Sequence, residues 1–513
     1  MLPERLAPPV LWAIGLGAVV FLFLECLTSP LNHDEDHYLG GAVMAKDHAV
    51  YRDFTYSAMP LHPVLMGAFL RAFPTERPFL WFRLMSAALT GLSSIVMFLT
   101  LRRLARNDTV ALVLTSFLTF NTLFLFSTNG LISCHVPALA LALGAAWFLH
   151  RALTLRGPAS AGLCGALLCA AAGFKLYYLL LLPLVLVLLF FFAAPGGPPR
   201  RERLRLCAAY CVGAMAAGLP VLIIFFRDPY AFLFNNYLFH QYNTAWRVAS
   251  GELGRISLLS RIGYVVEKLG FTGNGAVALL LIAIAVGLGR KRLVQCFLRA
   301  DSLPRVWLVL AVVATIGAML PRPMHLHYLV FPLPFYILLA ASLYAEISGT
   351  AKRRIEVLLV CCGVIVLAAG GRYLFQEGVA GLMPARWIPN AVHRDARQIA
   401  EALAPYPEPK QVTTLSPLLV IEAGLPFERA FAGSGFFYRV GDVIPPEIQK
   451  RLGLVQQGHA LELLERTMPA GVLVGFEENL EEEFLAFVQR HGYRAWPEPI
   501  YEHGTLYLRP IPG

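Results

Sequence analysis

The sequence predicts an all-α polytopic membrane domain of about eleven transmembrane helices over residues 1–384, followed by a small extracytoplasmic α/β domain over residues 385–513. Three observations carry this. The chain is 57% hydrophobic and 15% charged, against about 45–50% and about 25% in soluble domains. Long apolar runs recur as far as residue 371, and beyond about residue 385 the pattern becomes that of a soluble chain. Mean hydropathy is +0.59.

A helix that crosses a bilayer needs ~20 mostly apolar residues. Such runs lie near 10–27, 84–101, 109–127, 131–149, 159–173, 176–194, 207–226, 272–289, 306–320, 328–345 and 355–371. The first lacks a small-residue cleavage site, so it reads as a retained helix and not a signal peptide. Residues 61–73 are apolar but too short to cross and are bracketed by prolines, which predicts a helix lying at the interface.

The formal charge of +10 does not point to nucleic acid, because the basic residues fall in short groups between apolar runs. Arg102, Arg103 and Arg106, then Arg151 and Arg156, Arg200 to Arg205, Arg290 to Arg292 and Lys352 to Arg354 all occupy alternate loops, the side shared with Arg5. By the positive-inside rule these loops and the N-terminus face the cytoplasm, which puts the loops 28–83, 227–271 and 321–327 and the tail outside. A multi-pass plasma membrane protein, in a bacterium one of the inner membrane, is the expected location. The nine cysteines show neither CxxC nor Cys/His ligand spacing, so no disulfide framework or zinc site is expected.

In the tail, residues 411–421, 471–476 and 505–509 read as strands, and 391–403 and 480–491 as amphipathic helices. No Gly-rich phosphate loop, internal repeat or lipidation motif interrupts them.

The chemistry concentrates in the first outward loop, Asn32-His33-Asp34-Glu35-Asp36-His37-Tyr38. Three consecutive acids beside the membrane raise one another's pKa unless a cation, a hydroxyl or a basic side chain compensates. Sugar transfer has a use for them: one carboxylate takes the acceptor's proton while a divalent cation or basic groups neutralise the departing phosphate. The plain alternative is a solvated loop tip.

Asp34-Glu35, Tyr38, Tyr51-Arg52-Asp53-Phe54 and Pro60 and Pro63 before an apolar segment resemble the first loop of GT-C glycosyltransferases. The PMT/ArnT-like and RgtA/B/C/D-like polyprenyl-phosphate-sugar enzymes are the nearest group. Arg83, Gly173-Phe174-Lys175, and His327-Tyr328 followed by Pro332 and Pro334 extend the resemblance over most of the membrane domain. It implies an inverting transferase with Asp34 as general base and Glu35 as its companion. A divalent ion, Mg or Mn, held at Asp34 and Glu35 is the cofactor it allows. Many members carry a second acid where this chain has His135, which puts a two-acid metal site in doubt. It implies donor or phosphate binding by Arg83, Lys175, His327 and Tyr328. Arg322, His325 and His327 cluster in one short loop, where cationic groups suit a departing phosphate and equally an interface anchor. His135 is read as orienting an acceptor, as a ligand through its imidazole, or as a histidine hydrogen-bonded within the bundle.

Lys175 between two apolar runs either reaches the interface or meets an anion. Tyr237 and His240 come from an aromatic- and amide-rich loop whose composition suits sugar stacking and an interfacial aromatic belt equally. The expected partners are a polyprenyl-phosphate-sugar donor, a lipid, glycan or protein acceptor, and membrane lipids, with no nucleic acid. The rival class is a transporter or flippase of a lipid-linked substrate. Transporters place polar groups near the bilayer midplane, whereas these spans are nearly free of charge. Within the enzymes, the tail lacks the Trp-Trp-Asp motif of oligosaccharyltransferases. Ser57-Ala58-Met59-Pro60 also stands where aminoarabinose transferases carry a Glu-Lys-Pro-Pro-like stretch.

Overall fold

The structure is a computed structural model and describes residues 7–127, 131–192, 199–251, 257–271, 275–299, 301–322 and 324–511. Arg5 and the ends of the predicted spans at 193–194 and 272–274 lie outside the described residues.

The first helix, α1 (Pro8–Thr28), starts with proline at its first turn, where the missing N–H costs nothing. Pro30 cannot continue it. Asn32 then caps α2 (His33–Ala45) by accepting from the Asp34 amide at 2.9 Å, and α2 leaves at 91° to α1. The short helix at 61–73 forms as α3 (Leu61–Ala72), 12 residues folded back on α2. They approach at Gly67, where a Cβ would come within 2.9 Å of the Ala42 carbonyl oxygen.

A 28-residue helix, α4 (Pro78–Ala105), follows. At 1.5 Å per residue it runs ~42 Å, more than the ~30 Å of hydrocarbon. Arg83 sits near its first end, and Arg102 and Arg103 at the other. The bundle continues through α5 (Asp108–Thr119), α6 (Thr122–Ser127), α7 (His135–Leu155), α8 (Pro158–Phe174), α9 (Leu181–Phe191) and α10 (Arg200–Arg227). The pair α8 and α10 packs through glycine, because without aqueous hydrophobic drive close backbone approach must supply the attraction. A Cβ on Gly213 would lie 1.9 Å from the Gly162 carbonyl oxygen.

Among the described residues each predicted apolar run is mainly helical, though of unequal length, and the run 109–127 is two helices broken at Phe120 and Asn121. Among the described residues five helices are long and apolar enough to cross: Pro78–Ala105, His135–Leu155, Arg200–Arg227, Leu326–Tyr344 and Gly349–Tyr373. Two bent pairs bring the number to seven if each is one span, and four shorter apolar helices fall on four further runs.

Beyond the 33-residue helix Gly349–Gly381, the helix Ile388–Ala402 leads into a four-stranded sheet of order β1-β2-β4-β3. Its strands are β1 (Val412–Thr413), β2 (Gly471–Val474), β3 (Arg494–Ala495) and β4 (Thr505–Leu508). β1 and β2 run parallel, and β4 pairs antiparallel with both β2 and β3. The strand expected over 411–421 is only two residues long. Residues Leu418–Glu422 are helical, because Pro417 breaks the strand and an all-buried Leu-Leu-Val-Ile run has no period to distinguish strand from helix. The tail shares one apolar core with the loops beneath it: Leu39, Tyr56 and Phe79 pack in the same cluster as Leu418, Leu419 and Leu473.

Candidate active site

Three consecutive acids on a helix point about 100° apart, so α2 sends each to a different environment. All three also sit in the first turn, where the helix dipole favours negative charge. Glu35 points inward. Its oxygens accept from Arg83 Nη2 at 2.6 Å and Nε at 3.1 Å, and from the Ile132 and Asn32 amides at 3.1 Å each. Arg83 spends its remaining donors on the carbonyls of Cys26, Ser29 and Pro30. Neither side chain reaches solvent. Asp36 points at the tail, accepting from the Leu418 amide at 2.9 Å. Asp34 alone stays open, 38% exposed, with His33 Nε2 at 3.3 Å.

Asp34 looks onto a basic and aromatic cluster built by three chain breaks. Lys175 ends α8 in extended backbone, because the short 3-10 turn Leu176–Leu180 follows at once. Its ammonium lies within electrostatic reach of Cys134 and Asp34 and stands 5.6 Å over the Tyr328 ring. His135 opens α7 and shares a 3.1 Å hydrogen bond between Nδ1 and the Tyr177 hydroxyl. His327 and Tyr328 come from the 3-10 turn Leu326–Val330. The rings of His135 and His327 are 4.5 Å apart, and His325 stacks on His327 at 5.5 Å.

The fold thus brings Asp34, Lys175, His135, His327 and Tyr328 together, and His240 is within electrostatic reach of Lys175 and His325. Three expected residues lie elsewhere. Arg83 has its guanidinium inside the α1–α2 corner, so it fixes that corner and has no donor left for a phosphate. Arg322 is exposed and stands near Arg261. Tyr237 is 56% exposed on a short π-turn.

Further residues of the first loop and its neighbours line this region. Tyr38 Oη meets Cys134 Sγ at 3.2 Å, and His37 stacks on Tyr56 at 4.4 Å. Asn235 and Asn236 tie the segment after α10 to the first loop, through the Tyr56 amide at 2.9 Å and the Tyr51 hydroxyl at 3.0 Å. The tail supplies the outer rim. Phe436 packs 5.5 Å from His33 and 5.2 Å from His37, and Arg439 lies over Phe436 at 4.7 Å. Burial lifts the Glu477 carboxyl above its ordinary range, with His33 and Arg439 pulling it back.

The residues present do not fit the divalent ion that the resemblance allows at Asp34 and Glu35. Four donors occupy the Glu35 oxygens, and among the described residues no group of three or more His, Cys, Asp or Glu side chains could hold an ion. No reaction step is therefore routed through a metal.

No known protein-family profile matches the chain, and no curated protein matches it in sequence. Solved structures do match. ArnT from Cupriavidus metallidurans in the apo state superposes with a TM-score of 0.60 at 15% identity, over 97% of each chain. The Archaeoglobus fulgidus oligosaccharyltransferase in its apo form follows at 0.51 and 13% identity, over 97% of this chain and 74% of that one. With the α1–α2 corner, the short α3 folded back on α2 and the tail packed against that corner, the chain shares the overall fold of the ArnT structure.

Proposed function

We propose that the protein is an inverting glycosyltransferase that moves a sugar from a polyprenyl-phosphate carrier to a cell-envelope acceptor on the extracytoplasmic face. The observation that carries the reading is the pairing of one open carboxylate, Asp34, with the Lys175, His327 and Tyr328 cluster it faces. In this reading Asp34 takes the acceptor's proton, and the oxygen attacks the anomeric carbon. Polyprenyl phosphate leaves from the opposite side, so a single displacement inverts the centre. Lys175, backed by the neighbouring imidazoles, meets the phosphate charge that develops. Glu35 and Arg83 act as positioning residues.

The fold supports the class by analogy only, and the site carries the rest. The eleven apolar helices are read as eleven spans, with the basic loops and the N-terminus cytoplasmic and residues 385–513 outside. The acceptor is read as lipid, glycan or protein. A transporter would be expected to carry its polar groups near the midplane, whereas this cluster lies by the Arg83 end of α4, far from Arg102 and Arg103.

The test is mass spectrometry of lipid retained by protein purified in mild detergent, followed by incubation with a membrane extract. A retained polyprenyl-phosphate sugar, consumed as carrier phosphate appears, supports the reading. A retained sugar lipid that crosses a bilayer intact without losing its sugar would replace it with the transporter.

A further inference from the structure

Away from Asp34, the start of α4 and the helix Ile388–Ala402 enclose a cleft of about 430 Å³ lined by Arg77, His393, Arg394, Arg397, Gln398 and Glu401. Arg394 is paired with its neighbour Asp395 at 3.1 Å. Arg77 donates to the neutral Asn390 side chain. Among the described residues neither Arg77 nor Arg397 has a carboxylate partner, though Glu76 and Glu401 stand nearby.

His393 and Glu422 behind the cleft are 3.0 Å apart. Burial pushes Glu422 up to about 8, against the pull of the Phe79 amide and Arg77. Burial first, and then Arg77 and Arg397, hold His393 below its ordinary value.

Two polar atoms in the wall are buried without a partner: Arg77 Nε, a donor on a cation, and Gln398 Oε1, an acceptor. Leaving such atoms desolvated is costly, and in folded proteins each calls for a partner. An anionic oxygen suits the first and a hydroxyl the second.

Position narrows the source. Arg77 directly precedes the first residue of the α4 span, and Trp81 one turn further is 47% exposed. Leu382 and Met383, which close the helix Gly349–Gly381 next to the cleft, are 69% and 54% exposed. The cleft therefore sits at the level where an interfacial aromatic and bare apolar side chains meet lipid. We propose that it binds the headgroup of an anionic phospholipid, the phosphodiester on Arg77 and Arg397 and a headgroup hydroxyl on Gln398.

The experiment places the full-length protein in phosphatidylcholine nanodiscs, titrates in short-chain phosphatidylglycerol, and counts adducts by native mass spectrometry, with inorganic phosphate as a parallel competitor. One adduct is expected to survive excess phosphate, and to weaken about tenfold in Arg77→Gln and in Arg397→Gln, since each removes a charge-assisted contact. Arg397 is exposed, so its variant folds even if Arg77→Gln, which loses the Asn390 contact, does not. Unchanged binding in folded Arg397→Gln, equal retention of a zwitterionic lipid, or displacement by inorganic phosphate at the lipid's own concentration would overturn the assignment.

Discussion

Arg83 Nη2 lies 2.6 Å from Glu35 Oε2 with neither side chain reaching solvent, so the pair holds the corner between α1 and α2 from inside. Removing one partner leaves a buried charge alone, a loss of ~3–5 kcal/mol. Arg83→Met and Glu35→Leu should each lower the thermal midpoint strongly, and the double variant should lose clearly less than the two together. Scanning fluorimetry in detergent measures this. Additive losses would mean that the two groups are not coupled.

How far the sequence carries depends on what each signal encodes. Apolar runs encode burial in lipid, so every helix of the bundle was legible, but not which of them are long enough to cross. The three acids of α2 stood out as a cluster. Their separate fates follow from helix phase and from partners far away in sequence, Arg83 for Glu35 and Leu418 for Asp36, and spacing alone reveals neither. The same holds for Arg83 itself: an arginine opening a span signals a buried anion, and only the fold says that the anion is Glu35 and not a ligand. Phe436, Arg439 and Glu477 were invisible because a tail with no motif gives no hint that it seats over the first loop.

The α8–α10 contact makes a prediction about stability alone. With the Gly162 carbonyl 1.9 Å from a built Cβ at Gly213, Gly213→Leu forces the helices apart at a cost of ~1–3 kcal/mol or more. Gly263→Leu, where a Cβ meets nothing within 4 Å, is the control. Equal thermal midpoints for the two variants would mean that close backbone contact is not what holds this pair.

Glu422 predicts a pH dependence where the tail meets α4. Its buried carboxyl accepts from the Phe79 amide at 3.1 Å and is pushed up to about 8. A carboxyl raised on folding holds its proton in the native state. Its stabilisation is thus complete below about pH 4.5 and is lost as pH rises towards 8, by at most about 1.4 kcal/mol per unit. Hydrogen exchange in the helix Ile388–Ala402 should accelerate between pH 6 and pH 8 beyond the intrinsic rate. Glu422→Gln should flatten that trend, and a profile identical to the parent protein would remove Glu422 as its cause.

Lys175 is the cation that faces Asp34. Replacing it with Met keeps the stem that packs by Tyr328 and deletes the charge. Donor binding should weaken about tenfold or more, the scale of a lost charge-assisted hydrogen bond to phosphate, with the thermal midpoint little changed. Titration with a short-chain polyprenyl phosphate measures it. Equal affinity in the variant would return Lys175 to a purely interfacial role.

Asp34 separates chemistry from folding more cleanly than any other residue of the cluster. Its side chain is the open one of the three acids, so Asp34→Asn preserves shape and leaves the Arg83–Glu35 corner untouched while removing the atom that would accept the proton. Loss of a general base typically costs ~10²–10⁴-fold, about 3–5 kcal/mol of barrier. Transfer from a labelled polyprenyl-phosphate sugar in liposomes with a membrane extract should fall by that factor, while donor affinity and thermal midpoint stay near the parent values. Glu35→Gln should also lower transfer, but together with stability, because its oxygens hold Arg83 and two backbone amides. Asp36→Asn should be the mildest of the three, since an amide oxygen still accepts from Leu418. The contrast between rate loss without melting at position 34 and rate loss with melting at position 35 distinguishes a base from its support. Near-parental turnover by a folded Asp34→Asn protein would leave the proposed displacement without a base.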